Sequence, residues 1–167
     1  MSGLKNIAFI VLALLLVSFF SGCVSTTEQK AEPKADGKAL YTYITKDNNY
    51  KNWKMWPGKG ELYPGTEPHG ALLTTYVIDN AFSAIEGKKG SLPEESIIVK
   101  ENYSPDKKLG AITVMYKEKG YDAEHNDWFW AKYTPDGKID AEGKVKACYD
   151  CHGQRKDNDY IWTGDIK

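Results

Sequence analysis

The sequence predicts an α+β domain: an antiparallel β-sheet with flanking helices, closed by a helical segment at the C-terminal end. Three observations predict it. Four stretches between Ala71 and Tyr133 are rich in β-branched and aromatic residues and bounded by turn residues. The links between them are short, which favours antiparallel pairing. Helical spacing, by contrast, is confined to the region after Leu40, to one link after Ile78, and to the last marked stretch, Cys148-Tyr149-Asp150-Cys151-His152.

Length and charge set the bounds. A chain of 167 residues suits one folded domain, and a net charge of −1 gives no case for nucleic acid or for an anionic membrane surface. Residues 1–22 read as an export signal outside the fold. Lys5 supplies the positive start, Ile7 to Val17 is unbroken apolar sequence, and Ser21-Gly22-Cys23 closes it. This end resembles the lipobox of bacterial lipoproteins, with Phe20 where leucine is commoner. The resemblance implies lipidation at Cys23 and an extracytoplasmic, periplasmic protein that meets the membrane only through that anchor. An uncleaved anchor and ordinary signal cleavage are the alternatives, and both also export the domain. Residues 23–39 are polar and lack periodicity, as a tether would. The folded domain is expected over 40–167.

Each element follows in order. Leu40, Tyr43 and Ile44 recur at helical spacing, and Tyr50, Trp53 and Trp56 extend an aromatic series to Trp56-Pro57-Gly58, so one or two helices are expected there. Lys59 to Gly70 is a Gly/Pro-rich loop with His69 near its end. Ala71 to Ile78 reads as a buried strand. Asp79 or Asn80 caps a short helix that Gly87 stops. In Glu95–Tyr103, Ile97, Val99, Glu101 and Tyr103 share one face, and Ile98, Lys100 and Asn102 the other. Leu109–Lys117 carries Ile112, Val114 and Tyr116 at period two. Asp127–Tyr133 sets Trp128 and Trp130 against Phe129, Ala131 and Tyr133. Pro135-Asp136-Gly137 makes a turn.

The closing motif carries the chemistry. Cys148 and Cys151 stand three apart, so on a helix both thiols share a face and can reach the two vinyl groups of one porphyrin edge. His152 then supplies the proximal iron ligand. Cys-x-x-Cys-His is the attachment signature of a c-type haem. A redox dithiol would need a strand and a helix start just before it, and zinc would need two further ligands at comparable spacing. With Cys23 lipidated and two thiols on covalently attached haem, no cysteine remains for a disulfide.

Beyond the motif, Pro64-Gly65-Thr66-Glu67-Pro68-His69-Gly70, Ile98-Val99-Lys100-Glu101-Asn102-Tyr103, Ala111 to Lys117, Gly120-Tyr121 and Asp127 to Tyr133 resemble, in order and spacing, the cytochrome P460 family. The resemblance spans about Leu40 to Thr163. It implies an antiparallel sheet packed on a single c-type haem, commonly in a homodimer, with histidine below the iron and an open face above. Its members oxidise hydroxylamine or bind nitric oxide and carbon monoxide, and would pass electrons to an exported acceptor cytochrome.

Three positions draw meaning from that resemblance. Lys100, in Val99-Lys100-Glu101, matches the lysine that bonds to a porphyrin meso carbon in the hydroxylamine-oxidising members. From the strand pattern alone it reads as a solvent-facing lysine paired with a neighbouring acid. Ile112 falls near the place of a distal carboxylate in the catalytic members. His69 replaces a distal phenylalanine. It could donate a hydrogen bond to bound ligand, relay protons, ligate iron, or simply be a loop residue satisfied by backbone. His125, in a polar turn, is expected to be solvated. The expected function is an open-faced haem site for a small nitrogen ligand or substrate, with Lys100 and His69 beside the chemistry. The alternative is an electron carrier whose sixth ligand is His69, Met55 or Met115.

Overall fold

The computed structural model describes residues 32–167. The export signal and Cys23 lie outside the described residues, and among those described no helix is long and apolar enough to cross a membrane. Seven strands form one antiparallel sheet: β1 (Lys54–Met55), β2 (Tyr63–Pro64), β3 (Leu72–Val77), β4 (Ile97–Tyr103), β5 (Leu109–Lys117), β6 (Trp128–Tyr133) and β7 (Ile139–Gly143). They lie in the order β1-β3-β4-β5-β6-β7, with β2 also paired to β3. Three helices flank them: α1 (Gly37–Thr42), α2 (Asp79–Glu86) and α3 (Lys146–His152). The expected α+β class and the antiparallel sheet are what the chain adopts.

Period-two patterning divides the core into two faces. Behind the sheet, Val99, Ile112, Val114, Phe129, Ala131 and Tyr133 pack against Leu40, Tyr43 and Ile44 of α1 and the wider π-type turn over Tyr43–Asp47 that continues it. In front, Ile98, Met115, Trp128 and Trp130 meet α2 and the C-terminal Tyr160, Ile161 and Ile166. Leu40 and Ile44 are fully buried, each contributing about 1.5–3 kcal/mol relative to exposure. Asp36 caps α1 by accepting from the Ala39 amide at 2.8 Å.

Several boundaries differ from expectation. The tether was expected to reach residue 39, but the packed chain begins earlier. The Pro33 carbonyl accepts from the Tyr116 hydroxyl at 2.7 Å, and the Gly37 carbonyl from Tyr133 at 2.8 Å. The aromatic series after Tyr50 gives one turn of 3₁₀ helix and then β1 rather than a second α-helix, because Trp56 bonds its amide to the Thr75 carbonyl across the sheet. Neither Asp79 nor Asn80 caps α2; Ile78 holds that position without a side-chain bond, although Gly87 does end the helix. Two further strands were not expected: β2 inside the Lys59–Gly70 loop, and β7, polar and exposed at the sheet edge after the Pro135-Asp136-Gly137 turn.

Candidate haem site

Helix α3 leaves the edge strand β7 and crosses the front of the sheet. Cys148 and Cys151 are free, half-buried thiols on this helix. His152, at its last position, is buried. Its Nδ1 lies 2.7 Å from the Tyr160 carbonyl. A carbonyl only accepts, so Nδ1 carries the proton and Nε2 keeps its lone pair. Burial lowers the imidazole pKa to about 4, against an opposing effect of the Tyr160 bond, and the nearby Lys100 charge lowers it further. The Trp130 ring stands against it at 4.7 Å. The tail that supplies Tyr160 is itself held: Asp159 accepts from Lys117 Nζ at 2.8 Å and from the Leu92 amide at 2.7 Å.

Between α3 and the sheet lies a cavity of about 310 Å³ whose walls include Ile98, Lys100, Thr113, Met115, Trp130 and His69 as well as the Cys-x-x-Cys-His residues. Lys100 sits mid-strand on β4, opposite Thr75 and Thr113 on its neighbours. It is 9% exposed. Its amine has no hydrogen-bond or ion-pair partner among the described residues, and burial alone lowers its pKa to about 8. A strand lysine paired with an acid at the surface is therefore not what the chain builds.

His69 reaches the same cavity from the loop between β2 and β3. Gly70 makes that approach possible. Its φ of +97° suits glycine, and a Cβ there would stand 2.8 Å from the Tyr103 carbonyl oxygen. His69 Nδ1 lies 3.0 Å from Asn102 Oδ1, so a side chain and not the backbone satisfies it. Burial lowers its pKa to about 4, helped by the charges of Lys100 and His152. Its ring centroid stands 6.1 Å from that of His152, the two planes near perpendicular at 87°.

Other expected positions fall elsewhere. Ile112 is not beside the distal site. It faces the rear core, because β5 pairs Thr113 with Lys100, which puts the odd-numbered residues Thr113 and Met115 toward the cavity. The carboxylate at the cavity wall is Asp140 on β7, whose oxygen lies 2.7 Å from Lys132 Nζ. Met55 packs toward the rear cluster, while Met115 lines the cavity. His125 is not solvated: its ring pairs with Asp122 at 2.8 Å and stacks on Tyr149, inside the haem motif, at 4.1 Å. Asn102 and Trp130 went unassigned in sequence, although the face each occupies was legible from its strand.

The residues fit a haem. Buried polar atoms are almost always partnered, yet the Trp130 indole nitrogen is buried without a partner among the described residues. It lines the same cavity as the partnerless Lys100 amine and the two free thiols. The walls are otherwise largely apolar, as a flat macrocycle requires. Fold and site together define a haem cytochrome built on an antiparallel sheet rather than on a helical bundle. Residues 47–163 match the family model Cytochrome P460, and the chain belongs to that family. Comparison with curated proteins found no match.

Proposed function

We propose that this protein is an exported mono-haem c-type cytochrome that binds or oxidises small nitrogen species, hydroxylamine or nitric oxide, on the side of the iron opposite His152. Cys148 and Cys151 would hold the haem covalently, and His152 would ligate its iron. The bound group would supply a redox-active centre able to take a nitrogen donor.

The observation that carries this reading is the Lys100 amine, buried in the cavity wall without a partner. A core lysine without a partner costs stability, so its place in the cavity wall points to a use there. With a pKa near 8 rather than 10.5, the neutral amine, the form that can bond to a porphyrin carbon or take a proton, becomes accessible at mildly alkaline pH. His69, neutral and half-buried at the same cavity, is a candidate to accept a proton from a bound nitrogen ligand. Asp140 at the wall, paired with Lys132, offers a carboxylate as a second proton acceptor.

The protein would work outside the cytoplasm as a lipid-anchored homodimer, passing electrons to an exported acceptor cytochrome. Cys23→Ser should release a soluble exported form or leave unprocessed precursor, and unchanged mass together with unchanged membrane association would remove the anchor from this reading. The deciding experiment is the ferrous spectrum with and without nitric oxide, joined to peptide mapping. Nitric oxide should shift the spectrum. A band far to the red of ordinary c-type haem, with the Lys100 peptide linked to the Cys148–Cys151 peptide, would mark the hydroxylamine-oxidising form. Failure of both wild type and His69→Ala to bind nitric oxide would overturn the proposal.

A further inference from the structure

We infer that His69 is the sixth ligand of the haem iron in the resting protein, so that a small ligand enters by displacing it. This rests on the haem reading of the cavity. It starts from the side chain that holds His69, not from His69 itself. The Asn102 amide nitrogen lies 3.0 Å from the Lys100 carbonyl, 3.2 Å from the Ala111 carbonyl and 3.2 Å from Thr113 Oγ1. Carbonyls only accept, so the amide NH₂ must face them and its Oδ1 must face His69. That oxygen in turn can only accept, so His69 Nδ1 carries the proton and Nε2 keeps a lone pair.

His152 is prepared in the same way by the Tyr160 carbonyl. The cavity thus holds two imidazoles, His152 buried and His69 half-buried, each with Nδ1–H anchored on a protein oxygen and each with a bare Nε2. An outer-shell acceptor on the second ring nitrogen is the usual mark of a metal-bound histidine. Spacing agrees. Two metal–imidazole bonds of about 2 Å each, plus the two half-rings, come to roughly 6 Å between centroids, and the rings stand 6.1 Å apart. The ligand is also releasable: it sits on a loop, and among the described residues one side-chain hydrogen bond, to Asn102, holds the ring.

The test uses the full haem-loaded protein. Ferric wild type should be low-spin, and His69→Ala should turn high-spin while keeping its haem, since Cys148, Cys151 and His152 are intact. Added imidazole should return that variant to low spin. His69→Phe gives the same readout with the volume of the ring retained. Nitric oxide binding to ferrous wild type should level off with concentration, limited by His69 release, and should become linear in His69→Ala. Asn102→Ala should weaken iron–His69 ligation about 10–100-fold and so raise the plateau rate. A ferric wild type that is high-spin, or low-spin in both wild type and His69→Ala, would overturn the inference without touching nitric oxide binding. Low-spin wild type, high-spin His69→Ala and no nitric oxide binding in either would uphold His69 as ligand and overturn the proposed function instead.

Discussion

The two faces of the sheet treat polar side chains in opposite ways. Behind it, the buried Glu101 carboxylate accepts from the Tyr50 hydroxyl at 2.9 Å and the Tyr103 hydroxyl at 2.7 Å, and also pairs with Lys51. Tyr116 and Tyr133 donate to the carbonyls of Pro33 and Gly37. In front, one residue away along the same strand, the Lys100 amine and the Trp130 indole N–H have no partner among the described residues, and two thiols stand free. The rear face satisfies itself with its own atoms. The front face is built around atoms that do not belong to the polypeptide, and that contrast locates the function more surely than any single residue.

The largest expected effect tests the front. Replacing Cys148 and Cys151 together by alanine should abolish covalent haem, read as loss of haem-linked peroxidase stain on a denaturing gel. Glu101→Ala is the matching cut behind. It removes the acceptor of the buried Tyr50 hydroxyl and of the half-buried Tyr103 hydroxyl and should cost about 1–3 kcal/mol in denaturant unfolding, while the haem spectrum of the folded protein stays unchanged. A shifted spectrum in Glu101→Ala would break the separation of the faces.

Ile112 sharpens the same contrast. Buried with Val114 and Tyr116 on the rear face, Ile112→Ala should cost about 2–4 kcal/mol by leaving a cavity and should leave the nitric oxide rate as it is. Had the position lain over the iron, the rate would change instead.

How much of this was legible in sequence follows from physical range. Strand parity is local, so Ile98, Lys100 and Asn102 could be put on one face and Val99 and Glu101 on the other before any coordinates. The same parity, carried across the β4–β5 pairing, would have corrected Ile112, whose placement over the haem came from resemblance alone. The Cys-x-x-Cys-His motif is likewise local and was read directly. What stayed hidden depends on contacts far apart in the chain. Asn102 meets His69 across 33 positions, and the tail that brings the Tyr160 carbonyl to His152 is held through Asp159 by Leu92 and Lys117, far back in the chain. β7 escaped because Ile139-Asp140-Ala141-Glu142-Gly143 is an edge strand whose polar residues bury little.

The smallest expected effect is a slope, and it asks whether Lys100 is a buried cation at all. Its folded pKa, about 8, lies below the ordinary 10.5 because burial penalises the charged amine. Below pH 8 both folded and unfolded chains hold the proton, so the penalty is full and constant at neutral pH. Between 8 and 10.5 the folded chain has released a proton that the unfolded chain still binds. Stability must therefore rise with pH across that window, by at most about 1.4 kcal/mol per unit. Lys100→Met keeps the length and removes the charge, so the variant should be more stable at pH 7 and should lack the rise. A bond from the amine to the porphyrin would also remove it from wild type, since that nitrogen no longer titrates as a lysine. Unfolding curves taken from pH 7 to 10.5 thus separate a free amine from a bonded one. Flat, superimposable curves for wild type and Lys100→Met, with the Lys100 and haem peptides found unlinked, would mean that the front face does not bury this charge.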